Sequence, residues 1–521
     1  MIVAHFLHLE LFMSMDIRQS GILLHPVSLP GPHGIGDLGP AAYTFIDTLA
    51  QSGQSLWQVL PLGPTGFGNS PYMCLSAFAG NPFLISLQLL CEEGLLTQDE
   101  MNDHPELPAC RVDYPLVQNV KRSLLAKAFS RFMTTPGHAQ RERYTAFCHL
   151  HSAWLDTFAL FMALKEAHNQ AVWTEWEPGA AQRDPEAIKT WQADLEREIQ
   201  FHKYLQFLFF EQWANLKAYA HDKGISIVGD LPLYVAHDSA EVWSRPSLFH
   251  LDDKGRPEVI AGVPPDYFSS TGQRWGNPIY RWRHMAENRY AWWIERFRLN
   301  LTLFDIVRID HFRGFEAYWE VPAHEQTAVN GRWVKGPGQD LFKAVQAALG
   351  PIQVIAEDLG VITPEVDALR DNLGFPGMRI LQMAFGNDPK ASEYRPHNHI
   401  HRSVVYTATH DHNTTVGWFQ ADPGTQSTQS REEIEQERSY LLNYLGSNGE
   451  EIHWDLIRLA LGSVARTAII PLQDVLGLGT EARMNRPGSF EGNWEWRFTF
   501  EQLAPDTLAR LRRETVIFER V

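Results

Sequence analysis

The chain has 521 residues, of which 44% are hydrophobic, and it carries a formal net charge of −17. This length suits one large barrel with insertions or two to three smaller domains, and the apolar fraction is sufficient for a large core. The negative charge argues against nucleic acids and anionic membranes as partners, because no basic field is present to attract phosphate groups.

The cysteines and the first residues indicate the compartment in which the protein works. The four cysteines show neither a CxxC motif nor metal-ligand spacing, so we expect free thiols in the reducing cytoplasm. Segment 1–12 is apolar but lacks a basic beginning and a small-residue cleavage site, so it is a poor signal peptide, and Met15 is a second candidate start. No run of about 18 apolar residues occurs, so we predict no transmembrane helix.

Eight short runs, most of them continuously apolar, are typical of strands in a parallel sheet that is covered on both faces. Helices are predicted between most of these runs, for example at 41–50 and 364–372. Eight strands with intervening helices predict an α/β fold, a (β/α)8 TIM-type barrel. In chain order the runs are 21–25, 55–60, 226–229, 303–309, 352–356, 379–385, 404–409 and 467–472.

Excess length between some of these strands marks insertions. Amphipathic helices are predicted at 117–134 and 140–168, followed by a barrel helix at 199–220 with a 3.6-residue apolar period and Gly224 as its C-terminal cap. Segment 231–281 is rich in Pro, Gly, Asp and aromatic residues and is expected to be an ordered loop region. The resulting division is 16–90 for the first part of the catalytic barrel, 91–197 for a helical insertion, 198–230 for the barrel again, 231–290 for a loop-rich insertion over the cleft and 291–521 for the rest of the barrel.

Carboxylates stand at the ends of several predicted strands. Asp310 ends the fourth run, Glu357 follows the fifth and Asp411 follows the seventh. A parallel β/α barrel carries its chemistry at the C-terminal ends of its strands. Two carboxylates facing each other across a sugar are the minimum for cleaving a glycosidic bond. Asp230 ends the third run, but this signal is weak alone because Asp-x-Pro is also a common turn.

The neighbours of these acids suggest individual roles and also leave structural explanations open. Arg308 shares a strand face with Asp310 and would keep that carboxylate ionised, or the two could form a buried pair that only rigidifies the barrel. Apolar flanks or Asp358 would raise the pKa of Glu357, as a general acid requires. The alternatives are an acid at a helix N-terminus, which fits Asp358 better than Glu357, and a helix N-cap for Asp411.

Several long segments between about residue 20 and residue 497 are distinctive, and they include 21–26 (GILLHP), 57–65 (WQVLPLGPT), 70–72, 76–82, 229–235 (GDLPLYV), 262–268 (GVPPDYF) and 483–488 (RMNRPG). These segments resemble the amylomaltase or disproportionating-enzyme family of 4-α-glucanotransferases, glycoside hydrolase family 77 of the α-amylase clan. One departure is visible around the third carboxylate, where the family usually reads GTHDNDT and this chain reads ATHDHNT, with His412 and Asn413 in place of an amide and an acid.

The resemblance implies roles for the matching residues. Asp310 looks like the family's nucleophile, Glu357 like its acid/base and Asp411 like its transition-state stabiliser. It implies neither an organic cofactor nor a catalytic metal, and it makes 264–270 a flexible loop over the cleft. The implied substrate-binding residues are Tyr72, Asp230, Tyr267, Phe268, Ser269, Trp275, Arg308, which positions the nucleophile, His410 and Asn485.

The implied function is retaining transfer of an α-1,4-glucan segment from a maltodextrin donor to the 4-hydroxyl of glucose or another glucan, through a covalent glucosyl-enzyme. The expected partners are maltooligosaccharides, starch or glycogen fragments and glucose, with no nucleic acid or membrane partner, and the expected state is a monomer or homodimer. Composition leaves hydrolysis of α-1,4-glucans open, since water could replace the sugar acceptor. A non-catalytic glucan-binding protein is disfavoured because all three carboxylates are present.

Overall fold

The computed structural model describes residues 17–135, 140–265, 269–388, 390–422, 430–489 and 491–521. The segment on which the signal-peptide and start-site predictions depend, and Tyr267 and Phe268 of the expected loop, lie outside the described residues. Within the described ranges, no helix has both the length and the apolar character that a bilayer crossing requires.

A closed barrel of eight parallel strands forms the centre of the fold, which confirms the predicted (β/α)8 architecture. Every predicted run overlaps one of its strands. In chain order the described strands are β1 (Gln19–Leu23), β2 (Leu56–Gln58), β3 (Ser226–Pro232), β4 (Val259–Val263), β5 (Gln273–Pro278), β6 (Ile306–Asp310), β7 (Ala317–Pro322), β8 (Arg332–Lys335), β9 (Val354–Ala356), β10 (Gly377–Ile380), β11 (Ser403–Tyr406) and β12 (Thr467–Pro471). Around the barrel the order is β1, β12, β11, β10, β9, β6, β3, β2.

Several strand boundaries differ from the prediction, and two of them fall in neighbouring helical turns. The fourth run was expected from 303, but Leu303 is the last residue of helix Ala291–Leu303 and β6 begins at Ile306. The last turn of this packed helix is as apolar as the strand that follows, so composition does not separate them. The sixth run was expected at 379–385, but β10 ends at Ile380 and the chain continues as a 3₁₀ turn, Leu381–Met383.

A second sheet, antiparallel and four-stranded, stands outside the barrel in the order β5, β4, β7, β8. Strands β4 and β5 fall in segment 231–281, for which the sequence suggested only loops. Their patterning is interrupted by Gly262 and Gly276, and β4 pairs with β7, which lies beyond β6 in the chain. Short strands whose partners are distant in sequence leave little local signal.

Helices cover the barrel and form the insertion between β2 and β3. The helices predicted at 117–134, 140–168 and 199–220 are present, and Gly224 follows the last of them with a left-handed φ of 76°. The described α-helices are Pro40–Gln51, Leu87–Glu92, Gln98–Asn102, Tyr114–Thr134, Gln140–Ala167, Pro178–Ala181, Pro185–Asp194, Glu196–Asp222, Ala240–Ser244, Trp282–Glu287, Ala291–Leu303, Gln339–Leu349, Pro364–Leu373, Ala391–Tyr394, Thr415–Phe419, Arg431–Leu445, Ile452–Gly462, Leu472–Val475 and Pro505–Ile517.

Candidate active site

Asp310 lies at the C-terminal end of β6, beside Arg308. The Nη1 atom of Arg308 is 3.2 Å from Oδ1 of Asp310, and it donates to Oδ1 and Oδ2 of Asp230 on the neighbouring strand β3 at 2.8 and 2.7 Å. Asp230 is completely buried, whereas the Asp310 side chain is 27% exposed. The guanidinium therefore joins a buried acid to an acid that reaches the cleft. The alternative of a purely structural Arg–Asp pair fits Asp230 rather than Asp310.

The electrostatics of Asp310 balance two opposing effects. Burial raises the pKa of the Asp310 carboxyl above its usual value, while the positive charge of Arg308 acts to lower it. Nearby negative charge, from Asp230 first and then Asp411, adds to the increase. The arginine thus favours the ionised form that a nucleophile needs, as the sequence analysis expected.

Tyr72 connects this group to the next strand end. Its hydroxyl donates to Oδ2 of Asp230 at 2.8 Å. Its ring stacks on the ring of His410, with the centroids 5.0 Å apart and the planes within 15°. The hydrogen bond to Asp230 and the stacking on His410 leave the Tyr72 side chain little rotational freedom, so this edge of the site is rigid.

Glu357 directly follows β9 and is held by backbone donors. The His311 N–H donates to Oε2 at 2.6 Å, and the Leu359 N–H donates to Oε1 at 2.9 Å. Burial raises the pKa of the Glu357 carboxyl, and the charge of Asp310 raises it further, against the opposite effect of Arg308. A carboxyl kept protonated in this way can act as a general acid.

The sequence analysis named Asp358 as one group that would raise the pKa of Glu357, and this part of the prediction was wrong. Asp358 is buried on the other side of the chain, where it pairs with Arg370 and lies 3.5 Å from Arg379. It also accepts the Met378 N–H at 2.7 Å. Its charge is therefore neutralised locally, and the acid that acts on Glu357 is Asp310.

Asp411 follows β11 in the turn that leads to helix Thr415–Phe419. The amide of Asn485 donates to its Oδ1 at 2.6 Å, and Nε2 of His410 lies 3.3 Å from its Oδ2. Although burial opposes ionisation, the charge and hydrogen bond of His410 and the hydrogen bond from Asn485 hold the pKa of Asp411 well below its usual range. The charge of Asp411 in turn raises the pKa of His410 despite burial.

The alternative roles considered for Glu357 and Asp411 do not fit the structure. Helix Thr415–Phe419 is capped by Thr414, whose side chain accepts the Gly417 N–H, so Asp411 is not an N-cap. Helix Pro364–Leu373 begins after Thr363, and Glu357 lies outside it. The two acids therefore have no structural task at a helix end.

The remaining predicted residues lie at the rim. Trp275 on β5 contacts His311, with ring centroids 4.8 Å apart and planes at 83°, so it lies close to the residue that follows Asp310. The Ser269 hydroxyl donates to the Gly272 carbonyl at 2.7 Å. Tyr267 and Phe268 remain predictions, because they lie outside the described residues.

Three further residues support the site and were missed by the sequence analysis. Trp494 is buried and lies 5.9 Å from the Tyr72 ring and 6.0 Å from the His410 ring. Arg483 donates to the Asp411 carbonyl at 2.7 Å. His311 has a left-handed φ of 52°, which turns its N–H towards Glu357. The only sequence signal was that Arg483 is the first residue of the motif at 483–488 and that Trp494 follows this motif closely.

The arrangement combines Asp411, whose pKa is lowered, Glu357, whose pKa is raised, and Asp310, which lies next to an arginine. These groups can protonate a leaving group, attack a carbon and stabilise positive charge, which is the set of functions that retaining glycosidases use. Within the described part of the chain, no three His, Cys, Asp or Glu side chains are grouped to hold a metal ion.

Comparison with known proteins finds relatives that match nearly the whole chain. The sequence profile described as "4-alpha-glucanotransferase" matches residues 24–503. A 4-alpha-glucanotransferase from Synechocystis sp. is 53% identical over 493 residues, which cover 94% of this chain and 95% of the relative. One from Thermus thermophilus is 49% identical, with 97% of this chain and 99% of the relative covered.

Solved structures agree with the sequence comparison. The amylomaltase from Streptococcus agalactiae in complex with acarbose superposes with a TM-score of 0.91 at 38% identity, covering 96% of this chain and 99% of the other. The amylomaltase from Corynebacterium glutamicum superposes with a TM-score of 0.79 at 20% identity and covers 97% of this chain and 76% of the other, which supports the fold.

Proposed function

Because this chain belongs to the 4-alpha-glucanotransferase family, we propose that its glucan transfer takes place by double displacement in the cleft of Asp310, Glu357 and Asp411. Its activity is 4-alpha-glucanotransferase activity. The observation that carries the assignment of residues is the position of Asp310 and Glu357 at the ends of adjacent strands. The charge of Asp310 raises the pKa of Glu357 there, and the charge of Arg308 acts to lower the pKa of both acids.

In the first step, an α-1,4 bond of the donor is broken. Glu357 gives its proton to the glycosidic oxygen while a carboxylate oxygen of Asp310 attacks the anomeric carbon. The reducing-end piece leaves as an alcohol, and the remaining glucan becomes an ester of Asp310. The raised pKa of Glu357 and the arginine beside Asp310 support this division of roles.

In the second step, the 4-hydroxyl of an acceptor attacks the same carbon. Glu357, now ionised, takes the hydroxyl proton, a new α-1,4 bond forms and the carboxylate of Asp310 is released. Two inversions at one carbon give overall retention. The protons balance, because the proton that Glu357 loses in the first step returns in the second.

Asp411 stabilises the oxocarbenium-like transition state of both steps. Its low pKa keeps it negative while positive charge develops on the sugar, and His410 beside it supplies a donor to ring hydroxyls. Tyr72 forms the wall on the non-reducing side. Since Asp230 is buried beneath Tyr72 and Arg308, we assign it to positioning rather than to direct contact with sugar.

Acceptor binding explains how sugar competes with water. Trp275 lies next to His311. Segment 264–270, which contains Tyr267, Phe268 and Ser269, is the loop that the resemblance implies over the cleft. We assign these residues to holding the acceptor and limiting water near the anomeric carbon.

The proposed donors are maltooligosaccharides and fragments of starch or glycogen, and the proposed acceptors are glucose and other glucans. Acarbose in the amylomaltase from Streptococcus agalactiae, a relative of nearly equal length, supports α-glucan binding. The free state of all four cysteines supports a reducing compartment such as the cytoplasm. They are Cys74, Cys91, Cys110 and Cys148.

Incubation with pure maltotriose tests the proposal. Transfer predicts a ladder of shorter and longer oligomers that contains glucose, whereas hydrolysis predicts accumulation of glucose and maltose alone. Asp310→Ala is expected to abolish both patterns. Glu357→Gln with a donor that carries an activated leaving group is expected to accumulate the glucosyl-enzyme, detected by mass spectrometry of the intact protein. Ordinary transfer from maltotriose by Glu357→Gln would contradict the assignment of the acid/base.

A further inference from the structure

Trp333 on β8 is an aromatic residue of the second sheet that the core does not absorb. Its side chain is 39% exposed, and no step proposed above uses it. Single exposed aromatic residues are normal on protein surfaces, so exposure alone means little. Trp333 differs from such residues because Arg313 and Trp319 fix the orientation of its ring.

The ring is fixed on one face and at one edge. The guanidinium of Arg313 lies 3.7 Å from the centre of the Trp333 ring, and Trp319 meets it nearly edge-on at 5.1 Å and 67°. Trp319 is itself anchored through its indole N–H to the Ala328 carbonyl at 2.8 Å. The exposed surface of Trp333 is therefore the face opposite the guanidinium, a flat and pre-oriented apolar platform.

Arg313 connects this platform to the loop of the proposed acid/base. It is buried, lies three residues after Asp310, and donates to the Val361 carbonyl. Val361 belongs to the same loop as Glu357 and is 46% exposed. The platform thus adjoins the loop that supplies the general acid, and a general acid acts on the leaving-group side of the scissile bond.

The second sheet presents a tryptophan at each of its two edges. Trp275 on the edge strand β5 lies near the catalytic residues, and Trp333 is on the opposite edge strand β8. Three strand spacings separate the edges, roughly 14 Å. A single glucose cannot span that distance, but an oligosaccharide can.

We propose that Trp333, with Val361 beside it, forms a distal subsite for an α-1,4-glucan on the acceptor side of the cleft, beyond the first acceptor glucose. The inference rests on the proposed function and adds a preference for long acceptors. The apolar C–H face of a pyranose fits a flat indole, and because Arg313 already holds the ring, binding costs little side-chain entropy. Glucose as acceptor does not reach the platform.

The test compares a short and a long acceptor on one donor. The donor is 4-nitrophenyl α-maltotrioside at fixed concentration, the acceptor is glucose or maltopentaose over a concentration range, and chromatography quantifies the transfer product. Trp333→Ala is expected to raise the KM for maltopentaose about 2- to 10-fold, the size of one aromatic stacking contact. The KM for glucose and both kcat values should stay at the wild-type level.

Tyr440→Ala is the matched control. Tyr440 is 38% exposed and carries the guanidinium of Arg395 at 4.9 Å from its ring, but it lies on the distant helix Arg431–Leu445. It should change neither KM. Trp333→Phe keeps a flat face and should recover most of the affinity for maltopentaose. If Trp333→Ala does not fold, Trp333→Leu replaces it as the test. The leucine side chain still packs over Arg313 but offers no flat ring, so the KM for maltopentaose alone should rise.

The outcomes separate this inference from the proposed function. Equal effects of Trp333→Ala on both acceptors would show that Trp333 acts by supporting Arg313 and the Glu357 loop, and no effect on either would show that the platform binds no glucan; each overturns the inference. Absence of transfer in the wild-type protein would instead overturn the proposed function.

Discussion

Replacing Arg308 by methionine is expected to damage both stability and activity, for different reasons. Arg308 and Asp230 are almost completely buried and share two hydrogen bonds. Removing one partner of such a pair costs about 3–5 kcal/mol, because the other is left as an uncompensated buried charge. Asp310 adds little to this loss, since its side chain is 27% exposed and its contact with Arg308 is 3.2 Å.

A second substitution tests the reasoning. Asp230→Asn in the Arg308→Met background removes the stranded charge, while an amide at this position still accepts the Tyr72 hydroxyl. Most of the lost stability should return, so the double variant should exceed the single variant by about 2 kcal/mol or more. Activity should not return, because Arg308 lowers the pKa of Asp310 more than the charge of Asp230 raises it, so removing both charges still raises this pKa and disfavours the ionised nucleophile.

The measurements are urea unfolding followed by circular dichroism at pH 7.5, and transfer from maltotriose. Lys165→Met is the control, since the Lys165 ammonium is also buried and lies 2.6 Å from Asp238, but in the helical insertion. It should lose stability and keep its kcat. A loss below about 1 kcal/mol for Arg308→Met, or no recovery in the double variant, would refute the account of the buried pair.

Three shorter predictions follow from other contacts. The folded protein raises the pKa of Glu357 above its unfolded value, so the free energy of unfolding falls as the pH rises between these two pKa values. Glu357→Gln should therefore raise the Tm at pH 8 and leave the Tm unchanged at pH 4. An equal change in Tm at both pH values would contradict this. Asn485→Ala removes a 2.6 Å hydrogen bond to Asp411 and should lower kcat about 10-fold with little change in Tm, measured by maltotriose turnover. Arg520→Leu removes the donors to the carbonyls of Leu461 and Ala465 at 2.7 and 2.8 Å. It should lower the free energy of unfolding by about 2–4 kcal/mol without changing kcat. A Tm at the wild-type value would contradict this.

The barrel was predictable from the sequence because its strands are buried on both faces. Each such strand is a short continuous apolar run, and runs such as β11 and β12 end at or near polar residues that mark the rim. The second sheet gave no comparable signal. The pairing of β4 with β7 spans the whole of β6, and strands of four to six residues with interior glycines resemble loops until their partners are known.

The site was predictable to the extent that its residues follow strands. Asp310, Glu357 and Asp411 were predicted from their position after strands, and Arg308 from the two-residue period of β6. The structure places Arg308 and Asp310 on β6, and Glu357 and Asp411 after β9 and β11. Trp494 was not, because its contact with Tyr72 and His410 depends on how a C-terminal loop folds over the barrel. Nothing in the local sequence distinguishes it from a core tryptophan.

Sequence position pointed to these acids, but it could not show which partners hold their neighbours Asp230 and Asp358. At two places the chain supplies an acid that is buried against arginine and a second acid that is not. Asp230 accepts two short hydrogen bonds from Arg308. Asp358 forms an ion pair with Arg370 and accepts a hydrogen bond from the Met378 N–H.

The two cleft acids, Asp310 and Glu357, have weaker interactions than Asp230 and Asp358 or interact with uncharged donors. Asp310 has one contact of 3.2 Å with Arg308, and Glu357 has two backbone N–H donors. The carboxylate of Asp230 accepts hydrogen bonds from Arg308 and Tyr72, so its oxygens are engaged and are not free to attack carbon. The buried acids thus hold the arginines in place and leave the two cleft acids reactive, a distinction that burial makes and composition does not.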